Sequence, residues 1–238
     1  MIFENTPLFS TLIYLIGGTL MFFITLLVYL SYRRSGHKIQ KLIAVIFGCV
    51  TGHTFAFALP FALAGGNPFW SGWGYIIGIM FVYFAMIFAV PVIFFFSENT
   101  SFHKLEIPLL SLITINGVLA LSILILDFRP PLSSEFGFVI WNTNPIAGWL
   151  TGLSGMIIGS SWFFVFYRNS RYVQDKHKRI RMALMGVTGI LFGLIAILVY
   201  TSEHGLQTAV GHILFLLSCF IGLGIYLTPE YAEAQKNA

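Results

Sequence analysis

Charge is what this chain has least of. Thirteen Lys and Arg and nine Asp and Glu make up only 9% of its 238 residues, where a soluble domain carries about a quarter. Cysteine is nearly absent too. Cys49 and Cys219 both fall inside apolar runs, so neither a disulfide framework nor a cysteine zinc or redox motif is present. No gap between apolar runs is long enough for a soluble catalytic domain, since the longest, about Leu126 to Pro145, has about twenty residues. No segment interleaves cations with aromatics on a soluble surface, which excludes nucleic acid as a partner.

What the chain has instead is apolar length. Hydrophobic residues are 57% of the sequence, and they gather into seven runs: Leu8 to Leu30, Leu42 to Leu63, Trp73 to Phe96, Ile107 to Ile125, Ile146 to Phe166, Ala183 to Tyr200 and Ala209 to Leu227. Each is near the ~20 residues a helix needs to cross a bilayer. The pattern predicts an all-α polytopic bundle of seven transmembrane helices, one domain over residues 1–238, multi-pass in the cell membrane with the lipid bilayer as its first partner. The first run is no cleavable leader, because its cations follow it and Glu4 precedes it.

Orientation follows from where the cations sit. Arg33, Arg34, Lys38 and Lys41 follow the first run, Lys104 the third, Arg168, Arg171, Lys176, Lys178, Arg179 and Arg181 the fifth, and Lys236 the seventh. Only Arg129 falls on the other face, beside Asp127, Glu135, Glu203 and Glu4. Short cytoplasmic loops retain Lys and Arg, which puts the N-terminus outside and the C-terminus inside. Trp70, Trp73, Trp141 and Trp149 then gather at the outer interface, where amphipathic rings suit the headgroup level. The third run, with Phe81, Phe84, Phe88, Phe94, Phe95 and Phe96 and little that is polar, is expected to turn much of its circumference to lipid. Pro60 and Pro91 lie late in their runs, where a missing donor bends or ends a helix.

Small residues mark close helix packing. Gly148, Gly152, Gly155 and Gly159 form one stripe on the fifth run, Gly186, Gly189 and Gly193 repeat it on the sixth, and Gly211, Ser218 and Gly222 on the seventh. Runs five to seven are therefore expected to form a tight subbundle.

Against this apolar background a few polar groups stand out: Thr51 and His53 on run two, Asn116 on run four, Ser154 on run five and His212 on run seven. Polar side chains at membrane depth are expensive enough to be read as functional by default. At 1.5 Å per residue, His53 sits ~15 Å and His212 ~8 Å from the outer ends of their helices. Two histidines at similar depth on separate helices are candidate axial ligands for haem b, or ligands for a transition metal. The alternative is interhelical hydrogen bonding, with Asn116 or Thr51 as partners. His204 is a further metal candidate, though it lies ~12 Å along a helix from His212. His37, His103 and His177 sit in cationic loops and read as solvated.

A different chemistry is suggested by Gly152-Leu153-Ser154-Gly155 followed by Gly159, which resembles the Gly-x-Ser-Gly motif of rhomboid intramembrane proteases. That resemblance implies a catalytic dyad of Ser154 and His212 on runs five and seven. The chain departs from the family pattern in lacking a Trp-Arg pair in the first outer loop, a His-x-x-x-Asn pattern on run three and a glycine ladder after His212. A microbial rhodopsin would need a Lys in the last helix, and none is there. The topology also resembles the seven-helix sensor regions that precede bacterial histidine kinases, which implies signalling through a separate partner. By elimination the sequence favours a nonenzymatic membrane subunit or anchor of a larger assembly, redox-linked through the histidines. The rhomboid-like hydrolase and the seven-helix sensor are its two alternatives.

Overall fold

A computed structural model describes residues 7–97, 103–134, 137–141 and 143–227. Glu4, Glu135 and Lys236 of the charge argument lie outside the described residues. Seven helices are long and apolar enough to cross a membrane. They are α1 (Leu8–Ser35), α2 (Lys38–Ala64), α3 (Pro68–Phe95), α4 (Glu106–Leu126), α5 (Pro145–Ser170), α6 (Lys176–Tyr200) and α7 (Gly205–Tyr226). This is the helical bundle of a multi-pass membrane protein, as the runs imply.

Several helices outrun their apolar cores at the cation-rich ends. Most of the basic stretch before run six is therefore helical, and only Arg171–Asp175 connects α5 to α6. The reason is local. Asp175 is an N-cap whose carboxylate accepts from the backbone N–H of His177 (2.9 Å) and Lys178 (3.2 Å). At the other face, two Asn-Pro pairs start helices. The Asn67 side chain accepts from Phe69 N–H at 3.0 Å, and that of Asn144 from Ile146 N–H at 2.9 Å, with Pro68 and Pro145 supplying the first helical residue.

Consecutive helices pack against one another and α1 packs on α7, which closes the ring; α3 and α5 also touch, behind α4. α4 is thus peripheral. Only 22% of its most apolar stretch is buried, against 50% for α3 and α5. α4 is therefore the least covered helix, and α3, expected to turn much of its circumference to lipid, is among the most covered. Tyr75, Ile79, Tyr83, Val90, Ile93 and Phe94 of α3 are all buried, while Phe84 and Phe95 are exposed. α3 is apolar because three neighbouring helices cover it, a distinction that composition does not make.

The glycine stripe does what its spacing implies. A Cβ on Gly159 would strike the Gly189 carbonyl, one on Gly155 the Ala196 side chain, and one on Gly148 the Tyr200 carbonyl. Reciprocally, a Cβ on Gly193 would stand 3.2 Å from Met156 Cα, and on Gly189 the indole of Trp162 lies where a side chain would be. α5 and α6 are in backbone contact. The α7 stripe divides: Gly211 meets Val199 of α6, whereas Gly222 meets Ile24 of α1. Pro60 has its own consequence. The Ala56 carbonyl that it leaves without a helical donor is where Gly74 of α3 packs, too close for any Cβ there.

The α4–α5 connection holds an antiparallel pair, β1 (Leu132–Ser133) and β2 (Val139–Ile140). It docks on the start of α1, where Ser10 Oγ accepts from Val139 N–H at 2.9 Å. This pair carries Phe138 and Trp141 into the mouth of the ring.

Candidate functional site

The half of the ring away from the cation-rich helix ends is filled by aromatic rings around Tyr14. Its ring lies 5.2 Å from Phe57, 4.7 Å from His212, 6.4 Å from His53 and 6.5 Å from Trp141, centroid to centroid. Trp141 stacks on Tyr75 at 4.6 Å and lies 4.2 Å from Phe57. Trp141 is only 2% exposed. Its expected place at the headgroup level is corrected: the strand pair turns it inward, while Trp70, Trp73 and Trp149 remain exposed.

His53 and His212 belong to this layer, with α1 between their helices. Both set their rings against Tyr14. The partners of His53 fix its tautomer. Its Nδ1 lies 3.2 Å from the Gly78 carbonyl, which can only accept, so Nδ1 carries the proton and Nε2 accepts from the Tyr200 hydroxyl at 3.3 Å. By the same logic His212 donates from Nδ1 to the Thr208 carbonyl at 2.6 Å, and its Nε2 has no hydrogen-bond partner. A haem iron would need the Nε2 of His53 that Tyr200 occupies and a slot where the aromatic rings stand. These residues do not fit haem as arranged. Among the described residues no three His, Cys, Asp or Glu side chains stand close enough to hold a metal. His204 is exposed at the N-cap of α7, with its carbonyl accepting from Ser202 Oγ at 2.8 Å.

Ser154 and His212 are likewise apart in their contacts. Ser154 Oγ accepts from Asn116 Nδ2 of α4 at 3.1 Å, and α6 stands between α5 and α7. Thus Asn116 serves the serine rather than a histidine. Thr51 pairs with Thr25 of α1 at 3.2 Å. Each of the four polar membrane residues other than His212 has a satisfied interhelical bond.

Below the aromatic layer, a cavity of about 150 Å³ lies between α2, α3, α5, α6 and α7. His53 and Tyr200 form its roof, and Val50, Met86, Trp162 and Phe192 are among its walls. The α5–α6 seam borders it as well, with Gly155, Gly159 and Gly189 among the lining residues. Nothing in the order of residues along the chain reveals this centre. Tyr14, Trp141 and Tyr200 could have been suspected only from their polar tips inside apolar surroundings. Outside the spans, Asp127 ties the α4 end to the α5 start: it pairs with Arg129 at 2.7 Å and accepts from Asn144 Nδ2 at 2.9 Å. Arg129 first, and Asn144 after it, hold the Asp127 carboxyl below the ordinary carboxylate range. No protein-family model, no curated protein and no solved structure matches this chain, so the chemistry of these residues is what bears on its function.

Proposed function

We propose that this chain is a nonenzymatic seven-helix sensor of the cell membrane, N-terminus outside, which holds a small molecule in its central cavity and passes its state to a partner protein at the cation-rich face. The observation that carries this reading is the cavity itself, set at mid-ring beneath the His53–Tyr200 bond and bordered by five helices. An occupant there touches helices whose ends reach the cation-rich face, α2 at Lys38 and α6 at Lys176. Binding energy that differs between two arrangements of those helices is all that a sensor requires. The hydrolase reading loses ground because Ser154 and His212 turn to different helices. The redox reading loses ground because His53 has both ring nitrogens engaged. An anchor within a larger assembly keeps one supporting feature, the sparsely covered outer side of α4.

The test needs no ligand. Spin labels at Lys41 and Lys176, both exposed, report the distance between the cation-rich ends of α2 and α6. Filling the cavity with Ala85→Leu should change that distance distribution in a two-state sensor. Identical distributions would remove the sensor reading and leave the static anchor.

A further inference from the structure

The sensor reading leaves the occupant's chemistry open, and the inference here rests on that reading. Hydrogen-bond arithmetic narrows it. Four side chains lining the cavity carry donors: His53, Trp162, Thr188 and Tyr200. Each donor is already spent inside the protein. His53 Nδ1–H goes to the Gly78 carbonyl, Tyr200 O–H to His53 Nε2, and both Trp162 Nε1–H (3.1 Å) and Thr188 O–H (2.8 Å) to the Met185 carbonyl. The backbone N–H groups belong to the helices. What the lining still offers is acceptor lone pairs, chiefly on Tyr200 Oη at the roof and Thr188 Oγ1 further down.

No Lys, Arg, Asp or Glu lines the cavity. An anion entering it would shed its water and meet no donor, which is prohibitive in an apolar interior. A carbonyl compound would set an acceptor against acceptors. The cavity is partly open at its side, and its apolar space of about 150 Å³ accommodates about one benzene ring. We infer that the cavity takes a single neutral, compact apolar molecule bearing one hydroxyl or N–H donor, a phenol-like ligand whose donor is directed at Tyr200 Oη. Such a molecule converts an acceptor that the bundle leaves unused into a bond while its ring fills the apolar space between the helices.

Isothermal titration of the purified full chain in detergent tests this with phenol, toluene, benzaldehyde and benzoate. The Ala85→Leu variant, and Ala89→Val as a milder filler, supply blanks for partition into micelles. Phenol should bind saturably, with a Kd about tenfold below those of toluene and benzaldehyde, the equivalent of one net hydrogen bond. Benzoate should give no heat beyond the blank, and the filled variants should lose the phenol signal. Equal affinity for phenol and toluene, or tighter binding of benzaldehyde or benzoate, would overturn the donor assignment. Absence of saturable phenol binding would overturn the inference entirely. None of these outcomes touches the spin-label distances, which use no ligand and judge the sensor reading separately.

Discussion

At the scale of single residues, the polar groups inside the bundle divide into pairs with different consequences. His53 and Tyr200 share one hydrogen bond across α2 and α6. A double-mutant cycle of His53→Ala and Tyr200→Phe, followed by thermal unfolding in detergent, should give a coupling of about 0.6–1.5 kcal/mol. Additive losses would mean that the bond contributes nothing in the folded bundle. Sequence made these residues visible unevenly. His53, His212, Asn116 and Ser154 stand out because polar side chains are rare in apolar runs, yet their partners depend on ring order, which no local pattern encodes. His53 and His212 both meet Tyr14 because α1 packs on both α2 and α7. Asn116 meets Ser154 because α4 lies beside α5.

Among elements, the α5–α6 pair was the most legible, since a stripe of glycines at helical spacing has one physical use in lipid. Gly159→Ala should destabilise the bundle by about 2–3 kcal/mol, because the new methyl group would meet the Gly189 carbonyl rather than a yielding side chain. Gly224→Ala is the control: nothing lies within 4 Å of its added carbon, so unfolding should be unchanged or slightly delayed. Equal losses at both positions would make the contact argument wrong. The strand pair was illegible, for a corresponding reason. Its strands are two residues long, and Trp141 is buried by where the connection docks rather than by any periodicity. Asp127 helps hold that connection. Its carboxyl is held low in the folded state, so its contribution is present above the ordinary carboxylate pKa and is lost as pH falls through the lowered value. Asp127→Asn should therefore flatten the acid limb of a stability–pH profile slightly, because the group is exposed, and an unchanged limb would show the pairing to be inert.

For the whole molecule, hydropathy gave the seven helices but not their ends, because length and composition define a span while α1 and α6 continue past their apolar runs into the cation-rich turns. How far each helix is covered was not available from composition: α3 and α4 are both strongly apolar, and only the contact of α3 with α5 behind α4 decides it. The side on which the cations lie underlies both the orientation and the proposed route of output. Cysteine accessibility in intact cells tests it most directly, with Ser133→Cys on β1 and Gln174→Cys in the α5–α6 connection, both at exposed positions. The expected result is labelling of Ser133→Cys by an impermeant maleimide in intact cells, and of Gln174→Cys only after permeabilisation. Labelling of Gln174→Cys in intact cells, with Ser133→Cys protected, would contradict the orientation and the direction of signalling built on it.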